Sequence, residues 1–289
     1  MKSVDDHQLG SSRQVPDEMG AFYRQFIEFR PQLKSFLYRL LVDRNDVEDI
    51  AQDTFVRAYE RLGDFRGDSS LKTWVFRIAS NLALDMLRKK GRWPLDAQDR
   101  SRSLAMSTPS IAEGFLQVNR HSPHGAYVLK EHIDFCFTCL AKTLPIQQQI
   151  ALILKDVYDF SISEICMVLD LSSGVVKHLL HDARSSMEEI FEHRCALISK
   201  NGMCEQCSEL AGYFNPRQHH REELLDIEMV REAGRSDAAG LYSLRAKLVS
   251  AIDPLRSEGA VLQDIIMQCT RQAIGEIGSY QHNPIPPQS

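Results

Sequence analysis

Between Asp46 and Lys90 the chain reads DVEDIAQDTFVRAYERLGDFRGDSSLKTWVFRIASNLALDMLRKK, two stretches with apolar residues three and four apart on either side of a short polar loop. That spacing argues against a strand, whose faces alternate with period two, and predicts two amphipathic helices joined by a tight connection. In the first, Asp46 is a plausible cap and Val47, Ile50, Ala51, Phe55, Ala58 and Leu62 share one side, while Asp49, Gln52, Asp53 and Arg57 lie off it. Gly63 ends this helix. In the second, Leu71, Val75, Ile78, Leu82 and Met86 form the stripe to be buried, and Trp74, Arg77, Asn81, Asp85 and Arg88 follow helical steps along another side. On spacing alone the polar side of the first helix reads as a solvated face, and Trp74 as a partly buried core residue.

Charge separates the two helices. The whole chain carries a formal charge of −5, which argues against a uniformly basic coat for nucleic acid. From Arg66 to Arg92, however, seven Lys and Arg (66, 72, 77, 88, 89, 90, 92) face only Asp68 and Asp85, a local balance of +5 that can neutralise phosphates. A flat aromatic, a guanidinium and an amide along one helix side are groups that single-stranded nucleic acid can use for stacking and hydrogen bonding. No Gly-rich loop ending in Lys-Ser/Thr is present to hold a nucleotide triphosphate.

The remaining chain predicts an all-α protein of several units. Residues 1–20 are polar and aperiodic and read as a disordered arm. Phe22, Phe26 and Phe29 mark one short helix, and Pro31 opens a second carrying Leu33, Leu37, Leu40 and Leu41. A first domain therefore spans 21–92. Residues 93–125, rich in Ser, Pro and charge, read as a flexible linker.

Residues 126–193 read as helix, helix and helix-turn-helix: Tyr127 to Thr143, Ile146 to Val157, Ser161 to Leu169, and Ser172 to about Phe191 with Ser172 as its cap. A C-terminal helical extension covers 194–280, with helices at Arg221 to Glu232, Asp237 to Ile252 and Pro254 to about Ile277, followed by a disordered tail at 281–289. No apolar run suits a signal peptide or a membrane span, so the expected location is the cytoplasm, where the seven cysteines are expected to be reduced.

The runs DVEDIAQDTFVRAY and FRGDSSLKTWVFRIASNLALDMLR resemble region 2 of the sigma-70 family, most closely the extracytoplasmic-function (ECF) type. The order LP, then FSISEICMVLDLSSGVVKHLLHDAR, is similar to region 4. The resemblance implies a non-enzymatic factor that directs core RNA polymerase to promoter DNA. It implies that Asp49, Gln52, Asp53 and Arg57 contact the polymerase. It also implies that Lys72, Thr73, Trp74, Arg77, Asn81 and Arg88 take the melted non-template strand of the minus-ten element. Region 4 would place its last helix in the major groove of the minus-thirty-five element, with Lys177, His178, His181 and Arg184 as contacts. Here the chain departs from the family pattern: from Ser161 to Phe191 two basic residues face five acidic ones, a balance of −3 that weakens phosphate attraction. An anti-sigma factor is an implied partner, and no membrane is.

Two cysteine sets stand apart. Cys136 and Cys139 form C-x-x-C on a helix and read as core packing. His193, Cys195, Cys204 and Cys207 follow the helix-turn-helix closely, and Cys204-x-x-Cys207 has zinc-knuckle spacing; His219 and His220 are alternative ligands. Zinc binding, a thiol switch and a reduced structural cluster all remain open at this point, and no cofactor is required by the main reading. Two further classes fit less well: a stand-alone helix-turn-helix regulator, disfavoured by the acidic helix-turn-helix and the elaborate first domain, and a thiol oxidoreductase, which lacks a suitable fold pattern and an acid/base pair.

Overall fold

A computed structural model describes residues 15–109, 129–194, 236–257 and 259–279. Among these residues every regular element is helical. The first unit comprises α1 (Val15–Leu41), α2 (Arg44–Glu60) and α3 (Leu71–Lys90), with a 3-10 turn at Leu62–Asp64. α4 (Ala97–Ser107) follows. The second unit comprises α5 (Leu129–Ala141), α6 (Ile146–Leu152), α7 (Ile162–Leu169) and α8 (Ser173–Arg194). Beyond it lie α9 (Ala238–Ser250) and α10 (Ala260–Ala273).

α1 is continuous through Pro31, where two helices were expected, and it begins inside the stretch expected to be a disordered arm. Its Phe22, Phe26, Leu33, Phe36, Leu37, Leu40 and Leu41 are all buried, so packing on both sides of the proline outweighs the lost backbone bond. The cap of α2 is Asp43 rather than Asp46: its carboxylate accepts from the backbone N–H of Asn45 at 2.9 Å and of Asp46 at 3.0 Å. Val42, between α1 and α2, has φ 52°, a left-handed conformation that a β-branched residue adopts only under constraint. Its side chain is fully buried, and its carbonyl accepts from Gln268 Nε2 at 3.2 Å.

α3 starts where expected, with Ser70 Oγ accepting from Thr73 N at 3.1 Å, and stops at Gly91, whose φ of 79° suits a residue without a Cβ. Leu82 and Val75 are buried, whereas Leu71, Ile78 and Met86 of the predicted stripe are only partly covered. α6 continues as a π-helical turn, Ile153–Val157. In α7 Ser161 and Glu164 form a reciprocal capping box, and α8 follows after Asp170 in the left-handed region.

Residues 93–109, within the stretch expected to be a linker, include the helix α4. Trp93 is buried and donates from Nε1 to Glu276 at 2.7 Å, and α4 lies against α10, with Thr270 Oγ1 bonded to Ser101 Oγ at 3.0 Å. α10 begins at Ala260 rather than at Pro254, because 253–257 form a turn. The expected helix at 221–232 and the tail 281–289 lie outside the described residues, as does 110–128.

One apolar core runs through both units and α9, joining Phe36 and Phe76 of the first to Phe160, Ile165 and Leu180 of the second. A smaller core gathers Val42, Trp93, Phe135, Cys139, Leu262, Ile265 and Met267 around α10. Cys139 is buried and Cys136 half-buried, packed on these cores as expected. No helix among the described residues is long and apolar enough to cross a membrane.

Candidate functional site

α2 turns Val47, Ile50, Ala51, Thr54 and Ala58 inward, and this places Asp49, Gln52, Asp53 and Arg57 together on its exposed outer side. Apolar groups join them that the sequence reading passed over. Val56 and Tyr59 on α2 and Tyr23 and Ile27 on α1 are all more than 40% exposed, with Tyr59 stacked on Phe55 at 6.1 Å and Tyr23 edge-on to it at 6.3 Å. A face that mixes carboxylates with supported aromatic rings suits a protein partner better than water. Exposed apolar residues at α2 positions off the buried stripe were the available signal.

The nucleic-acid candidates divide into two groups. Trp74 is half-buried, held by Phe65 of the polar loop at 5.4 Å between ring centroids, and Asn81 and Arg88 stand exposed further along α3. Arg88 lies 3.3 Å from Asp85 across one turn. Lys72, Thr73 and Arg77 are engaged by the second unit. Thr73 Oγ1 donates to Glu164 Oε1 at 3.2 Å, Lys72 Nζ sits 4.8 Å from the ring centre of Phe160, and Arg77 lies 3.4 Å from Asp170. Burial lowers the Lys72 pKa, against the opposing charge of Glu164.

On α8, Ser173, Gly174, Val175, Lys177, His178 and His181 face solvent, and His178 Nε2 is 3.5 Å from Asp182. Arg184 does not join them. Its guanidinium grips the Asp156 carboxylate with two nitrogens, and this bond holds its pKa above the ordinary value. His193 is exposed, with Nδ1 2.8 Å from the Glu189 carbonyl. Cys195, Cys204, Cys207, His219 and His220 lie outside the described residues. Among those described, no cluster of three or more His, Cys, Asp or Glu is placed to hold a metal.

Comparison with known proteins decides the family. The Sigma-70 region 2 model matches residues 26–92 and the Sigma-70 region 4 model matches 134–187. The ECF RNA polymerase sigma factor SigW of Bacillus subtilis is 31% identical over 163 residues, covering 56% of this chain and 83% of that protein. The chain belongs to the ECF sigma factors of the sigma-70 family. The RNA polymerase sigma-H factor of Pseudomonas aeruginosa is 28% identical over 187 residues, or 65% of this chain and 94% of that one. The ECF sigma-E factor of Escherichia coli is 28% identical over 168 residues, or 58% and 85%. As a sigma factor the chain directs RNA polymerase; the family is regulatory rather than catalytic and generally needs no cofactor. α1–α3 and α5–α8 carry the two matched regions, and α9 and α10 lie beyond both.

Proposed function

We propose that this ECF sigma factor brings core RNA polymerase to promoters and initiates transcription by trapping the melted minus-ten strand. The exposed side of α2, with Asp49, Gln52, Asp53 and Arg57 beside Val56 and Tyr59, is the polymerase-docking face. The 64–70 loop and the outer side of α3 hold the unpaired strand: Trp74 offers a ring for a base, Asn81 a two-way hydrogen-bonding amide, and Lys72, Thr73, Arg77 and Arg88 take phosphates and base edges once exposed. α8 enters the duplex upstream through Lys177 and the two histidines near its start, with Arg184 in a supporting place. In this division 21–92 and 126–193 are the working domains, 194–280 an appended module, and the cytoplasm the setting. A separate anti-sigma factor is a further partner.

The observation that carries this reading is the juxtaposition on one three-helix unit of an acidic-aromatic face and a basic face headed by Trp74. The energetics need no hydrolysis. Extruding a base costs a few kcal/mol, and stacking each base on an aromatic returns roughly 1–3 kcal/mol, with phosphate contacts in addition. In-vitro transcription with purified core enzyme tests it: the chain is expected to join core and give a promoter-specific transcript. Absence of both, including from the variants described below that loosen α9 and α10, refutes the reading.

A further inference from the structure

The minus-ten and minus-thirty-five elements are centred about 25 base pairs apart, roughly 85 Å at ~3.4 Å per base pair of duplex. Regions 2 and 4 of this chain are instead in direct contact. α3 lies along α7, Phe76 meets Phe160 at 5.0 Å, Ser35 Oγ is 2.8 Å from Tyr158 Oη, and Thr73 and Arg77 are bonded to Glu164 and Asp170. A chain in this form cannot occupy both elements, and part of its strand-binding side is covered.

Elements outside both matched regions hold the two together. α10 grips the first unit around the α1–α2 junction. Asp264 accepts from Tyr38 Oη at 3.1 Å and lies 3.5 Å from Arg44 Nε, Arg44 also donates to the Ala260 carbonyl at 3.1 Å, and Arg271 pairs with Asp43. α10 covers Val42, which holds a left-handed conformation unfavourable for a β-branched residue, and bonds its carbonyl through Gln268.

α9 grips the second unit. Tyr242 Oη donates to Asp156 at 2.7 Å, and the Arg245 guanidinium lies 3.4 Å from the ring centre of Phe191. At the centre, the fully buried Arg39 of α1 pairs with the fully buried Asp134 of α5. It also donates to the carbonyls of Val249 at 3.1 Å and Ile252 at 2.8 Å, at the end of α9, while Gln263 of α10 donates to the other Asp134 oxygen at 2.8 Å. Four elements therefore meet in one buried polar cluster, and removing α9 and α10 takes the Val249 and Ile252 carbonyls from Arg39 and the Gln263 amide from Asp134.

We propose that α9 and α10 form a built-in clamp that keeps the free factor closed, region 2 against region 4, until polymerase binding prises the two apart. The clamp acts on the sigma function proposed above, yet closure is a property of the chain alone and is measured without polymerase. Spin labels attached by non-cysteine chemistry at the exposed Glu60 and Glu192 of the full chain read it directly. A single narrow distance is expected for the free chain, and a longer one once core polymerase is added.

Asp264→Arg, which sets a cation against Arg44, and Tyr242→Ala, which frees Asp156, lie away from the polymerase and DNA faces. Both are expected to broaden the distribution toward long distances. They are also expected to tighten core binding by roughly 10-fold or more, since apparent affinity scales with the fraction of open chain. A broad, long distribution for the unmodified free chain overturns the clamp. So do folded variants, matched by circular dichroism, that keep both its narrow distance and its core affinity. Should either variant fail to fold, Asp264→Asn and Tyr242→Phe carry the same comparison. If the distances respond but no variant binds core, the clamp stands and the sigma reading fails.

Discussion

Arg39→Met is expected to destabilise the closed protein by about 3–5 kcal/mol, the loss typical when one partner of a buried ion pair is removed and the other left in place. The figure follows from the surroundings. Asp134 is fully buried and, among the described residues, keeps only the Gln263 amide as a hydrogen-bond donor, and the carbonyls of Val249 and Ile252 each lose a donor. Adding Asp134→Leu should restore most of the loss, because exchanging both charges for packed apolar groups is often close to neutral.

The deficit carries a pH signature. Burial already holds the Asp134 carboxyl above its ordinary range, opposed by the Arg39 charge. Without Arg39 its folded pKa rises further, so the folded state of the variant holds a proton that the unfolded chain has released. Stability of the variant relative to the parent then falls as pH rises through that window, and the deficit at pH 5 is smaller than at pH 7.5. Urea unfolding followed by circular dichroism and by emission of the buried Trp93 measures both. A single-variant cost under about 1 kcal/mol at pH 7.5, or a deficit that grows on acidification, refutes the reasoning.

Burial lowers the Lys142 pKa to about 8 from 10.5, and its ammonium donates to the Leu40 carbonyl at 2.7 Å. The penalty for burying the charge is fully present below pH 8 and is relieved as pH rises toward 10.5, so Lys142→Met should be the more stable form at pH 7. The gain is about 1–2 kcal/mol after the lost hydrogen bond is counted, and it should vanish near pH 10 in paired urea titrations. Trp74→Ala with Arg77→Ala should weaken open-complex formation by roughly 10- to 100-fold while core binding persists, read by permanganate footprinting and by a core pull-down. Asp53→Arg should show the reverse, with core affinity lower by roughly tenfold or more and folding intact. Ser161→Ala removes the hydroxyl half of the α7 capping box and should cost about 1 kcal/mol in thermal or urea unfolding.

Local signals carried far in this chain. The apolar spacing from Leu71 onward locates α3, and the span Ser161 to Leu169 locates α7, while the Ser70 cap, the Gly91 stop and the Ser161–Glu164 box emerge only in the structure. Features decided by distant packing were not legible. The buried side of α4 consists of Ala97, Gln98 and Ser101, which show no apolar period; only docking on α10 makes that segment a helix. Pro31 is a breaker by local rules, yet the apolar residues before and after it face one core. The candidate strand-binding residues could be named from their own helix, but nothing near Thr73 announces a partner 91 residues away in Glu164. Arg184 looked like a phosphate ligand by position, and only the fold reveals Asp156 beneath it.

The placement of α10 near the far end of the described chain has a consequence in time. The groups it closes upon, Tyr38, Val42, Asp43 and Arg44, are made early, and α8 is complete at Arg194. About 80 more residues must then be added before α10 is whole, which at ~5–20 residues per second takes on the order of 4–16 s. During that interval both working regions are fully translated while the bonds that α10 supplies to Tyr38, Asp43 and Arg44 are still missing. On the clamp proposed above, a newly made molecule meets polymerase with regions 2 and 4 held by their own contacts alone, before α10 can add its grip.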